Sequence, residues 1–209
     1  MKKILIIVSA TIIILVALGF IFKGPLIEAG KDFVTTDMFV TEDTDDFSPG
    51  LNAGDMFPQI NASYDGDQVN SLNAFAGQKG TIFVVSRSID WCPFCMKQMI
   101  QLNEYLNAFE QTGLKVVGLT YDKPEAQQPF KDKYSLAYPI LSDNDAATVI
   151  SLGILNEAYS PGEEAYGIGH PGAYIIDENG VIVGKVFVEA YSTRVDALSL
   201  LKLANNLLY

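Results

Sequence analysis

Two cysteines stand three positions apart in Trp91-Cys92-Pro93-Phe94-Cys95, and the chain has no others. Thiols at i and i+3 meet across one helical turn, so they can close a disulfide or exchange one by thiolate attack. If a helix starts here, Cys92 lies at its amino end, where free N–H groups and the positive end of the dipole favour a thiolate. Pro93 suits the first helical turn, because the N–H it lacks would go unpaired there anyway. Cys95, one turn on, heads an apolar stripe and is expected to be buried beneath an accessible Cys92. Cys92 would then form the mixed disulfide and Cys95 resolve it. A purely structural disulfide at this spacing would restrain little chain. His170 is the one histidine, so there are at most three soft ligands, against the four of a structural zinc site. Covalent haem needs histidine after the second cysteine, where Met96 stands. A redox dithiol remains, and neither a metal nor an organic cofactor is expected.

The elements that must hold this pair are readable from periodicity. Residues 81–86 form a near-continuous apolar, β-branched run, the mark of a strand buried on both faces. Cys95, Met99, Leu102, Leu106 and Phe109 make one helical stripe, which Gly113 ends. Residues 114–121 and 139–142 read as further strands. Pro124 opens a helix to about Tyr134 that Pro129 would interrupt, and Asp143 or Asn144 caps one ending at Gly153. Tyr64-Asp65-Gly66-Asp67 and Glu178-Asn179-Gly180 are hairpin turns. Residues 193–208 predict a closing amphipathic helix. This alternation gives an α/β domain with a central mixed sheet flanked by helices.

The chain has 209 residues, 49% hydrophobic and 19% charged, enough apolar material for a core. Its net charge of −11 argues against a nucleic-acid partner, which needs a basic face. Lys2 and Lys3 precede an uncharged run, Ile4 to Phe22, of 19 residues. At ~1.5 Å per residue this spans roughly 28 Å, close to a bilayer's hydrocarbon core. Residues 1–23 are therefore read as an uncleaved signal anchor, with a cleaved secretion signal as the alternative. The lysines would stay cytoplasmic and the rest of the chain would be periplasmic or at the cell surface. Residues 24–53 read as an acidic tether and 54–209 as one globular domain.

Trp91-Cys92-Pro93-Phe94-Cys95 after a buried strand resembles the thioredoxin-like superfamily. Gly169-His170-Pro171-Gly172-Ala173-Tyr174-Ile175-Ile176-Asp177 looks like that superfamily's cis-proline segment. The resemblance implies a thioredoxin-like fold with Pro171 cis, His170 packed by the two sulfurs, and Trp91 and Pro93 supporting the site. Gly54-Asp55-Met56-Phe57-Pro58 and the Arg87-to-Cys95 segment look like the AhpC/TSA (redoxin) branch. By resemblance, the favoured function is a membrane-anchored extracytoplasmic thiol–disulfide oxidoreductase. Its partners would be protein thiols or disulfides, or a small thiol or peroxide, together with a membrane redox partner. A peroxiredoxin-like thiol peroxidase is the alternative, and a metal-delivery module the third reading.

Two positions depart from the pattern. Peroxiredoxins carry P-x-x-x-T/S-x-x-C, and alignment on Cys92 puts Val85 and Ile89 at the proline and hydroxyl positions. Thioredoxins often hold a buried aspartate under the dithiol, where Ser86 stands here. Arg87 or Arg194 could serve as the family's peroxide-site arginine, though a solvent-facing or salt-bridged role is favoured for both. Asp90 is read as an exposed turn residue. The insertion between Gly153 and Gly169 is either a recognition loop or a packed connector.

Overall fold

The computed structural model describes residues 23–41 and 46–209. The apolar run Ile4 to Phe22 lies outside the described residues. Among the described residues, no helix is long and apolar enough to cross a membrane. The chain divides into two units, Met1–Asp37 and Met38–Tyr209. In the first, residues 23–34 are helical (α1). Thr35 and Thr36 hydroxyls donate to the Lys31 and Asp32 carbonyls at its end, 2.8 and 3.0 Å away. The first part of the stretch read as an acidic tether is thus helical. The Lys31 carbonyl also accepts the Thr35 backbone N–H at 3.1 Å, so the hydroxyl adds a second donor there.

The second unit is built on a seven-stranded sheet. Its strands are β2 (Ala62–Tyr64), β3 (Asp67–Val69), β4 (Gly80–Val85), β5 (Leu114–Thr120), β6 (Ile140–Asp143), β7 (Gly172–Asp177) and β8 (Ile182–Phe187). Their spatial order is β3-β2-β6-β5-β4-β7-β8. The β4-β5-β6 centre is parallel, and antiparallel hairpins lie on both sides. All six residues of β4 are buried. Ile82 and Val84 join the apolar layer containing Met99, Leu102 and Phe109. Phe83 and Val85 join the opposite layer with Tyr174 and Phe187. A strand buried on both faces needs an unbroken apolar run, which is how residues 81–86 read in the sequence.

The helices cover the two faces. The dithiol stripe forms α2 (Pro93–Glu104) and α3 (Leu106–Gln111), with a break at Tyr105. Pro129 does not interrupt α4 (Pro124–Tyr134). It lies on the exposed side, where water can take the carbonyl that loses its partner. In α5 (Ala147–Ser151) the N-cap is Ala146, neither Asp143 nor Asn144, while the Asp143 carboxylate accepts from Thr148 and Val149 N–H at 2.9 and 3.1 Å.

The closing helix α6 (Ala197–Leu208) starts four residues later than predicted, with Asp196 as its N-cap. Arg194–Val195 instead form β9, pairing in parallel with β1 (Phe39–Val40). The unit therefore begins well before Gly54. Phe47 and Leu51 pack on the core, and Lys185 Nζ donates to the carbonyls of Ser48 and Pro49 at 3.1 and 2.9 Å. Sparse apolar residues hid this, because it depends on partners more than 130 positions away.

Candidate active site

The buried strand β4 delivers the chain to a loop over residues 86–91, and Cys92 is the N-cap of α2. Pro93 occupies the first turn, as the sequence implies. Cys92 and Cys95 are joined as a disulfide, with Cα atoms 5.3 Å apart. The Cys95 backbone N–H donates to Cys92 Sγ at 3.3 Å. The open N–H groups of a helix start thus favour charge on this sulfur.

The expected difference in accessibility is corrected. Cys92 is 1% exposed and Cys95 0%. As N-cap, Cys92 turns its sulfur inward over the first turn of α2 towards Cys95, so both lie in the interior while bonded. The asymmetry between them lies in their polar neighbours.

Cys95 meets a cation. Arg194, from β9, is 2% exposed and its Nη2 lies 3.5 Å from Cys95 Sγ. The favoured solvent-facing or salt-bridged role is thereby corrected. Nη1 donates to the Tyr191 and Thr193 carbonyls at 2.8 and 2.6 Å, and no ion pair among the described residues includes Arg194. Burial, and secondarily the charge of Arg87, push its guanidinium down to about 9. It stays cationic at neutral pH. Arg87 is half-buried and stacks between aromatic rings, its Cζ 5.0 Å from the Trp91 ring and 5.4 Å from that of Tyr191. Trp91 is exposed, and its indole N–H donates to Tyr121 Oη at 2.9 Å.

Ser86 and Ile89 are both buried, without a carboxylate or hydroxyl where the thioredoxin and peroxiredoxin patterns have one. A buried carboxylate just after β5 braces the loop ahead of Cys92. Asp122, 6% exposed, accepts from Ile89 N–H at 2.7 Å and from Thr120 Oγ1 at 3.0 Å. Burial raises its pKa above the ordinary carboxylate value against these hydrogen bonds. Ser88 Oγ accepts the N–H groups of Asp90 and Trp91 at 3.0 and 3.2 Å, so the approach to Cys92 is pinned at several atoms. Asp90 is exposed in this turn, as read. The sequence reading missed Asp122; its one local signal is a carboxylate between a buried strand and a helix-opening proline.

Pro171 does not adopt the implied cis arrangement. Among the described residues there is no cis peptide, so Pro171 is trans. The chain runs extended here: Gly169 bridges Leu155, His170 N–H donates to Ile154 at 2.8 Å, and Gly172 enters β7 between Val85 and Phe187. No reversal opposes the ordinary trans preference of ~0.5–1 kcal/mol. The His170 ring lies edge-on to Phe47, 5.0 Å between centroids, and makes no hydrogen bond to either sulfur. Burial lowers its pKa.

The 153–169 insertion reaches a cleft of about 1200 Å³ beside the site. Glu164 and Tyr166 line it together with Asp90, Trp91, Tyr121 and Asp122. Among the described residues, no group of three or more His, Cys, Asp or Glu side chains is placed to hold a metal ion.

The AhpC/TSA family profile matches residues 53–185. Peroxiredoxin Bcp of Escherichia coli (strain K12) is 32% identical over 133 residues, covering 63% of this chain and 83% of that protein. A putative peroxiredoxin of Mycobacterium tuberculosis is 31% identical over 134 residues, covering 64% and 83%. Among solved structures, a peroxiredoxin-like protein from Aquifex aeolicus superimposes with a TM-score of 0.63 at 20% identity, over 77% of this chain and 90% of that one. Peroxidoxin BcpB from Mycobacterium tuberculosis gives 0.63 at 16%, over 75% and 96%. At such identities the superpositions speak for the fold, which is thioredoxin-like. With its dithiol, the profile match and the 32% identical peroxiredoxin make the chain a thiol-based redox enzyme. The profile runs from the residue before Gly54 into β8 and takes in β4, α2 and both cysteines, so the chain belongs to the AhpC/TSA family.

Proposed function

We propose that the chain is a thiol peroxidase whose disulfide is internal. The observation that carries this reading is the position of Cys92 at the amino end of α2, bonded to Cys95, in a chain whose matched relatives are named peroxiredoxins. The Cys92 thiolate attacks one peroxide oxygen and the O–O bond breaks. Cys92 becomes a sulfenic acid, and the other oxygen leaves as alkoxide or hydroxide and takes a proton. Arg87 supplies positive charge for that departing oxygen. The Cys95 thiolate then attacks the Cys92 sulfur and expels hydroxide, closing the disulfide. An external dithiol restores the reduced pair.

Plain thiol–disulfide exchange with protein partners is the second reading. It is favoured by Ile89, a buried hydrocarbon where the peroxiredoxin pattern has a hydroxyl. We also place the domain outside the cytoplasm, anchored through Ile4 to Phe22 and served by a membrane redox partner. The length and hydropathy of that run support this.

One equivalent of hydrogen peroxide added to the reduced chain should yield the Cys92–Cys95 disulfide, seen as a loss of two hydrogens by mass. Cys95→Ser should stop at a sulfenic acid trapped by dimedone, and Cys92→Ser should not react. Peroxide-inert reduced protein that still exchanges with protein disulfides would reverse the order of the two readings.

A further inference from the structure

Among the described residues, Arg194 is a buried charge with no ion-pair partner. Its Nε is buried with no partner, beyond the two carbonyls and the sulfur that take its other nitrogens. A cavity of about 20 Å³ lies beside it, lined among others by Gln98, Pro171 and Thr193, and the buried Gln98 Oε1 also lacks a partner. Such a cavity holds about one water. Burying an unpaired cation is strongly disfavoured, so the interior that holds one must offset it in some state of the protein. Of the groups in hydrogen-bond contact with the guanidinium, two are carbonyls and one is Cys95 Sγ. Only the sulfur can become an anion. As half of a disulfide it is neutral. Two electrons and one proton break the S–S bond and leave one thiol and one thiolate.

We propose that Arg194 is the counter-ion of a Cys95 thiolate, so that reduction of the dithiol pairs this buried cation. The helix start draws charge to Cys92 and the guanidinium draws it to Cys95. The reduced pair, sharing one proton, is stabilised at both ends. The couple is thereby made more oxidising, and the resolving sulfur is held as the nucleophile that expels hydroxide or thiolate from Cys92.

The other charged groups nearby do not cancel this. Arg87, from the β4–α2 loop, adds positive charge. Asp196, at the start of α6, has Oδ1 taken by Leu198 and Ser199 N–H at 3.0 Å each, and its Oδ2 is buried without a hydrogen-bond partner, the guanidinium included. It forms no ion pair with Arg194. Tyr191 offers Arg194 its backbone carbonyl. The β7 and β8 residues lining the cavity, Gly172, Ala173 and Val186, are uncharged. Arg194 is held in place by β9 pairing and by Gln101 Oε1 on α2, which accepts Ala197 N–H at 2.9 Å. The proposal rests on the dithiol being redox-active, and peroxide need not be its substrate.

The test uses the reduced full chain in detergent. Cys92 and Cys95 13Cβ shifts are followed against pH by NMR, and the midpoint potential is measured against glutathione. Cys95 should titrate below the ordinary thiol value of ~8.5. Arg194→Met should raise its pKa by about one unit or more, a tenfold loss of thiolate at fixed pH, and lower the midpoint potential by about 30 mV, tenfold in the exchange constant. Arg194→Lys should keep most of both. A Cys95 that titrates at or above the ordinary thiol value in the unaltered chain overturns the proposal, as does an Arg194→Met protein unchanged in both measurements. If Arg194→Met does not fold, the unaltered chain's titration decides. Peroxide inertness with these values intact would overturn the peroxidase reading and leave this one standing.

Discussion

At the residue scale, chemistry is set by what touches each sulfur. Cys92 has a helix N–H and Cys95 a guanidinium, so either can hold charge. His170 makes no hydrogen bond to either sulfur. Its ring is spent on Phe47, and His170→Ala should leave the midpoint potential within roughly 10 mV of the unaltered value, where ~30 mV is tenfold. Its effect belongs to stability. Burial lowers its folded pKa, so the folded chain binds a proton less readily than the unfolded one. Stability should therefore fall as pH drops below the unfolded value of ~6.5 and continue falling to the lower folded value. Urea unfolding of His170→Phe between pH 7 and pH 5 should show less of that loss. The dithiol, its helix position and Pro93 were legible because spacing and local chemistry define them. The trans peptide at Pro171 was not, because it depends on the pairing of Gly169 and Gly172 with distant strands.

At the element scale, the loop that presents Cys92 is held by a carboxylate just after β5. Asp122→Ala leaves the buried Ile89 N–H unpaired, which should destabilise the protein by about 1–3 kcal/mol in urea unfolding. The sign of its pH dependence is opposite to that of a salt-bridged aspartate. Its folded pKa is raised by burial, so its contribution is fully present below the unfolded value of ~3.9 and is lost as pH rises through the raised folded value. Asp122→Asn should remove that decline. Strand β4 and helix α2 were readable as periodic patterns. Asp122 was not, since its bond to Ile89 spans 33 positions. The start of α6 was misplaced because Arg194 and Val195 fit a helical pattern until β1 claims them as a strand.

At the scale of the whole molecule, the segment before Gly54 is part of what positions the site. Met38 and Val40 carbonyls accept the N–H groups of Arg194 and Asp196 at 2.8 and 3.0 Å. A chain starting at Gly54 loses this strand and the packing of Phe47 and Leu51. It should be less stable than one starting at Met38 by about 2–4 kcal/mol in urea unfolding, given ~1.5–3 kcal/mol per fully buried side chain. Arg194 meets Cys95 across 99 positions, a juxtaposition that composition and spacing do not encode locally. The central claim is that this buried pair of sulfurs reduces peroxide, and its most direct test is the second-order rate constant of the reduced chain with hydrogen peroxide at pH 7. A constant far above that of free cysteine, abolished by Cys92→Ser, is the predicted result. A constant no greater than that of free cysteine would contradict it.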